Sequence, residues 1–215
     1  MNWIKKNWQW TALNLLALAV MVSLLWQFVA VEEFNPNYDP LLISSGKWAM
    51  RFLLLCLLMT PLNTLLGWRR AVKLRKPAGL WAFGFAVAHF FLNVIGLQEN
   101  WLRAPIPDYM AALGVIGLGI LTSMAATSTR WAMKRLGKWW KRLHRLVYVA
   151  GLIVIGHALL ESSNKRVAGY EPQVEIELGL YLAILIMLLA ARIPAVRSTL
   201  ASLRHKHEVR REPVS

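Results

Sequence analysis

Six apolar runs, near residues 10–30, 48–67, 78–97, 109–127, 143–161 and 174–192, decide what this chain can be before any other feature is weighed. Each is close to the roughly 20 residues an α-helix needs to cross a hydrocarbon layer about 30 Å thick. Inside such a layer the backbone must satisfy its own N–H and C=O groups, which a helix does and an open strand does not. The expected fold is an all-α integral membrane protein, a bundle of six transmembrane helices. With 57% of its 215 residues apolar, the chain has only short connections and a tail left over, which disfavours a stand-alone catalytic domain in water.

The formal net charge of +14 raises the question of nucleic acid, and its distribution answers it. Threading the runs alternately puts Lys5, Lys6, five cations in 69–76, seven in 130–145 and six from Arg192 to Arg211 on one side, 20 of the 25 Lys and Arg. Lys47, Arg51, Arg103, Lys165 and Arg166 fall on the other side with nine of the eleven acids, so the net charges are +18 and −4. By the positive-inside rule both termini are cytoplasmic and the chain is a multi-pass membrane protein. The charge excess describes orientation and gives no evidence for nucleic acid; membrane lipid is the expected surface partner. The organisation is a cytoplasmic N-terminus (1–9), a transmembrane domain (10–192) and a basic tail (193–215).

The first run follows MNWIKKNW, a basic start like that of a signal peptide, but its apolar core is long and leads into VEEFNPNYDP rather than a small-residue cleavage pattern. It reads as a retained helix. The outside loops are too short for a folded module; their acids suit plain solvation or a docking partner. His205 and His207 in the tail read as part of an ordinary basic terminus, with weak metal binding as the alternative. Cys56 is the single cysteine, which excludes an intrachain disulfide or CxxC pair, and its apolar surroundings mark a buried small side chain.

Polar groups in a membrane interior are expensive unless partnered, so three histidines are the first functional candidates: His89, His144 and His157. His89 and His157 lie at comparable depths on the third and fifth spans, in the outer half, and His144 lies near the inner boundary. The 13 residues from His144 to His157 span about 19.5 Å of helix rise, enough to stack two cofactors across the layer. They also rotate through about 3.6 turns, so a straight helix points the two rings to different sides unless it bends. Gly151 and Gly156 between them permit close approach by a flat ligand or a neighbouring helix. Two imidazoles from facing helices suit the axial positions of haem iron; an interhelical hydrogen bond or a helix-end histidine is the alternative. Zinc lacks a third ligand beside His89 and His157. No catalytic pair suited to hydrolysis, Rossmann fingerprint or P-loop occurs, so no catalytic residue is nominated.

The stretches SSGKWAMRFLLLCLLMTPLN, LRKPAGLWAFGFAVAHFF and ATSTRWAMKRLGKWWKRLHRLVYVAGLIVIGH, spread over most of residues 44–161, resemble the haem-binding membrane subunits of the bacterial protein-methionine-sulfoxide reductase system, within the wider ferric-reductase-like transmembrane group. The resemblance implies a six-helix b-type cytochrome with one or two haem b groups, and FMN as a further candidate cofactor. It implies electrons taken from the quinol pool or a cytoplasmic flavin reductase and passed to a periplasmic molybdopterin-containing reductase. It implies His89 and His157 as ligands of an outer haem and His144 as a ligand of an inner one. The wider group often carries another histidine 14 residues before the equivalent of His89; here Arg75 stands there, leaving the inner sixth ligand open.

Arg75 suits a haem propionate, a flavin phosphate or a lipid phosphate, or a positive-inside anchor. Arg51, isolated just within the outer end of the second span, suits an outer-haem propionate or a lipid phosphate. Most of the eleven tryptophans sit at span boundaries as headgroup anchors, while the deeper Trp81 is expected to touch a haem edge or to pack between helices. Pro61 is expected either to bend the second span or to mark its end. The rival readings are a quinol-linked or metal-reducing membrane cytochrome with another partner, and a non-redox transporter or assembly protein whose histidines hold helices together. The terminal reduction falls to a separate subunit in the leading reading.

Overall fold

The computed structural model describes residues 5–30, 40–96, 109–167, 173–196 and 198. They form α1 (Trp8–Ala30), α2 (Pro40–Leu66), α3 (Ala71–Gly96), α4 (Tyr109–Ala126), α5 (Arg130–Leu136), α6 (Lys138–His144), α7 (Val147–Val167) and α8 (Gln173–Ala190). Among the described residues four helical stretches are long and apolar enough to cross a membrane: Trp8–Ala30, Leu41–Leu66, Ala71–Val94 and Lys138–Ser162. Ala111–Ala126 with Arg130–Leu136 makes a fifth if the pair is taken together across its 98° bend, and Ile176–Ala190 is a shorter apolar helix. The chain is thus a multi-span helical bundle, with four to five full-length spans among the described residues where six were expected. The difference lies at α4 and α8, both of which begin beside residues outside the described set; the tail histidines His205 and His207 lie outside it as well.

The core is built around α2. It packs along its whole length on α3, and α1, α7 and α8 also lean against it, while α4 packs on α7 and on α3. Phe52, Leu57, Phe85, Ile155 and Leu185 are buried where these helices meet. The connection from α2 to α3 is a tight turn at Gly67, whose φ of 64° lies in the left-handed region that glycine enters without a Cβ penalty. Neighbouring helices run antiparallel, so the chain ends of α2, α4 and α8 gather with the starts of α3 and α6 at one end. That end carries Arg75, the cations of 130–145 and Arg192, and is called the basic end below.

Pro61 neither ends α2 nor stands at its edge, since the helix continues to Leu66. A proline has no N–H, so the carbonyl four residues back, that of Leu57, loses its helical partner. Arg192 supplies one from beyond α8: its Nη2 donates to the Leu57 carbonyl, and its Nη1 donates to the Tyr148 hydroxyl of α7.

At the junction of α6 and α7 the bonds tighten to the i→i+3 pattern, Arg145 N to Arg142 O at 3.2 Å and Leu146 N to Leu143 O at 2.9 Å. A tight turn rotates each residue by about 120° where an α-helix gives about 100°. Each residue so wound adds about 20° to the rotation, so the relative facing of His144 and His157 departs from that of one straight α-helix.

Candidate functional site

His89, on α3, lies against the first turns of α2 at the end opposite the basic one. Its Nδ1 stands 2.9 Å from the carbonyl of Leu42 and 3.3 Å from Ser45 Oγ. A carbonyl can only accept, so Nδ1 carries the proton and Nε2 is the nitrogen left with a lone pair. The ring fits because the next residue is glycine: a Cβ on Gly46 would stand 3.1 Å from His89 Cε1 and Nδ1.

His157, on α7, fills a matching notch in another helix, where a Cβ on Gly114 of α4 would stand 3.2 Å from its Cε1 and Nε2. α3 and α7 stand diagonally across the bundle, each packed on both α2 and α4. The two imidazoles are at the same end of the molecule, turned onto different neighbours. Of the two glycines between His144 and His157, Gly151 admits the Leu185 side chain of α8, with its missing Cβ 3.1 Å from Leu185 Cδ1, and Gly156 has no atom within 4 Å of that position. The first is a helix contact, one of the two uses its position suggested.

At the basic end His144 closes α6. Its Nδ1 donates to the carbonyl of Trp140 at 3.1 Å, its ring stacks on the Trp140 indole with centroids 4.0 Å apart, and that indole donates to Thr127 O at 3.0 Å. His144 Nε2 is buried and makes no hydrogen bond of ordinary geometry, although the Met124 backbone of α4 lies close enough to act on the ring. Among the described residues Thr60 Oγ1, Arg75 Nε and Arg192 Nε, all at this end of the bundle, are likewise buried without a hydrogen bond. Cys56 lies between two of them: its Sγ donates to the Arg75 carbonyl at 3.3 Å, and Arg75 and Arg192 are both close enough to influence that thiol electrostatically. Cys56 itself is buried, as its apolar run indicated. Clusters of buried polar atoms without partners are uncommon in folded proteins and ask for a ligand or water.

Arg51 is engaged elsewhere. Its Nη2 pairs with Glu177 Oε1 at 2.7 Å and its Nε donates to the Tyr181 hydroxyl at 2.7 Å, both on α8. Lys47 pairs with the other Glu177 oxygen, and Tyr181 donates to Glu177. The guanidinium also lies 4.8 Å from the centre of the Trp48 ring. This brace between α2 and α8 was within reach of sequence reasoning: Lys47 and Arg51 are one turn apart, as are Glu177 and Tyr181, and each pair interrupts an apolar run. Ser45, Gly46, Gly114 and Arg192 left no comparable trace.

Trp81 packs between helices, its Nε1 donating to Asn14 Oδ1 of α1 at 2.9 Å and its ring tilted on Phe85 at 6.0 Å. Phe85 lies in turn 5.3 Å from Phe52 and 6.4 Å from Trp48. Beside Trp81 a cavity of about 520 Å³ opens between α1 and α3, lined by Trp10, Asn14, Lys76, Leu80 and Gly84. Trp131 and Trp139 are exposed and carry the guanidinium groups of Arg135 and Arg142 over their faces, the pairing expected of headgroup-level anchors. Among the described residues no three His, Cys, Asp or Glu side chains converge on one point.

A membrane bundle in which His89 and His144 are each held at Nδ1 by a backbone carbonyl, with unpartnered polar atoms at one end, has the features of a cofactor-carrying membrane protein. Residues 45–155 match the model of the ferric reductase like transmembrane component. Proteins of Brucella ovis, Brucella suis and Brucella abortus, each named as the protein-methionine-sulfoxide reductase heme-binding subunit MsrQ, are 33% identical over 209 residues, covering 93% of this chain and 90% of theirs. No solved structure matches it. The chain belongs to the MsrQ family, within the ferric-reductase-like transmembrane group.

Proposed function

We propose that this chain is a b-type haem electron-transfer subunit of a bacterial inner membrane, crossing it six times through residues 10–192 with both termini, 1–9 and 193–215, in the cytoplasm. The observation that carries the reading is the state of His144: Nδ1 is tied to the Trp140 carbonyl and buried Nε2 makes no hydrogen bond of ordinary geometry. Metal-bound imidazoles are held in this way, the second nitrogen donating to a carbonyl so that the first keeps its lone pair for the metal. His89 has the same tautomer through Leu42. The residues therefore fit haem in donor chemistry and in the apolar wall around them. Bound haem iron supplies one-electron exchange at a potential set by its axial ligands and burial.

In this reading His89 and His157 hold an outer haem and His144 an inner one whose sixth ligand is open. Thr60, Arg75 and Arg192 present buried donors to an anionic group at the inner end, a haem propionate or the phosphate of FMN. The cavity between α1 and α3, with Asn14 and Lys76 at hand, suits the ring of a quinol arriving through the bilayer. Electrons enter from that quinol or from a cytoplasmic flavin and leave outward to a periplasmic molybdopterin-containing reductase acting on oxidised methionine in proteins. The name of the Brucella relatives, a heme-binding subunit of a protein-methionine-sulfoxide reductase, supports such a reductase as the acceptor. Arg51 stays the candidate for an outer-haem propionate or a lipid phosphate, with Tyr181 and Glu177 holding its guanidinium at Nε and Nη2.

Optical spectra before and after reduction, with haem quantified against protein, test the proposal. A folded, colourless preparation from haem-replete cells would overturn it in favour of a transporter or assembly protein. His157→Ala should remove one spectral component and His144→Ala another; if both variants keep the full spectrum, the ligand assignment is wrong.

A further inference from the structure

Among the described residues Ser45 is the polar side chain that the fold buries completely, at 0% exposure. A buried hydroxyl costs free energy unless it is bonded, and this one donates to the Leu42 carbonyl of its own helix at 2.7 Å. The same carbonyl accepts from His89 Nδ1 at 2.9 Å, and Ser45 Oγ lies 3.3 Å from that nitrogen. Three groups thus close a small ring: Ser45 Oγ–H to Leu42 O, His89 Nδ1–H to Leu42 O, and His89 Nδ1–H shared with a lone pair of Ser45 Oγ. Gly46, directly after Ser45, opens the notch that lets the imidazole reach them. His144 finds its carbonyl one turn back on its own helix, whereas His89 finds its own on a different helix, so the orientation of the His89 ring depends on α2.

We propose that Ser45 is a positioning residue for His89: its hydroxyl, together with the Leu42 carbonyl, fixes the Nδ1–H tautomer and the ring angle that present Nε2 as a metal ligand. The inference deepens the haem reading and rests on it for its consequence at the metal, but the tautomer belongs to the protein alone. The hydroxyl does two things at once. As acceptor it draws on the Nδ1 proton and makes Nε2 a stronger donor, and as donor it fixes the carbonyl that aims the ring. Serine and threonine can do both, alanine neither.

The test uses the full-length protein in detergent or nanodiscs, with Ser45→Ala and Ser45→Thr beside the parent. Nitrogen-15 NMR of labelled histidines in haem-free protein reads the tautomer directly. All three proteins keep the Leu42 carbonyl and so the Nδ1–H tautomer; the parent and the threonine variant should share one sharp Nδ1–H signal, and the alanine variant should show it shifted and broadened by a ring no longer held at one angle. In haem-loaded protein the alanine variant should bind the His89-dependent haem about tenfold more weakly, the loss typical of removing a partner of a metal-ligating histidine. The midpoint potential of that component should rise, as a less basic imidazole stabilises ferric iron less, with the His144-dependent component unmoved and threonine restoring both properties. An alanine variant whose His89 Nδ1–H signal equals that of the parent in position and width overturns the proposal, whether or not haem is bound. Absence of haem from the parent overturns the functional reading and leaves that signal to decide the role of Ser45.

Discussion

Arg192 donates to the carbonyl of Leu57, the group that Pro61, four residues further along α2, is chemically unable to serve. The proline and the arginine are 131 positions apart in the chain, yet one creates the need that the other meets. Arg192→Met should cost about 1–3 kcal/mol by leaving a buried carbonyl unpaired. Restoring the N–H with Pro61→Ala should recover part of it, so a double-mutant cycle in thermal unfolding should give a coupling of at least about 0.5 kcal/mol. Additive effects would show that Arg192 acts through Tyr148 alone.

Gly46 and Gly114 are the notches that receive His89 and His157, and a methyl group at either meets an imidazole at 3.1 or 3.2 Å. Gly46→Ala and Gly114→Ala should each lower haem content at the outer site. Gly84→Ala and Gly119→Ala, with no atom within 4 Å of the new carbon, should leave it unchanged. Pigment-to-protein ratios after purification separate the two pairs.

Glu177 holds Lys47, Arg51 and Tyr181. Glu177→Gln leaves two cations one turn apart on α2 without a counter-charge, a destabilisation of about 2 kcal/mol for hydrogen bonds to charged groups, reduced where solvent reaches Arg51. Its melting temperature should fall well below that of Glu161→Gln. Equal melting temperatures for the two variants would mean that the brace contributes nothing to stability.

Orientation can be read with thiol reagents, because Cys56 is buried and Cys56→Ala gives a cysteine-free background. Cysteines at Asn2 and Ser202 should react only from the cytoplasmic side, and those at Ala104 and Ala168 only from the periplasmic side. Labelling of Asn2 and Ser202 from opposite sides would mean an odd number of crossings.

The positions of the helices and the grouping of cations at one end were legible because spanning length and charge act locally and leave long patterns. The three histidines were legible because an imidazole in an apolar run stands out. Which neighbour each histidine would face was not. These spans are apolar nearly all round, and a helix without a polar stripe gives no sign of its azimuth. Ser45 went unremarked because a serine in a membrane helix is ordinary until its hydroxyl is found beside a ring from another helix. Arg192 read as one more cation of the basic side, since nothing in an arginine announces that its partner is a carbonyl released by a distant proline. The Glu177 brace lay between these cases, written as two charge pairs whose match needed only to be noticed.

The tight turn at Arg145 and Leu146 makes the stretch from His144 to His157 a gauge of fixed length. One residue added or removed there would turn everything beyond it by about 100°, carrying His157 out of the notch at Gly114 while leaving α7 as apolar and as helical as before. Apart from Tyr148 and Gly151, natural variants should therefore change letters between these histidines more readily than they change their number, and anyone grafting this segment into a designed bundle must copy its count before copying its residues.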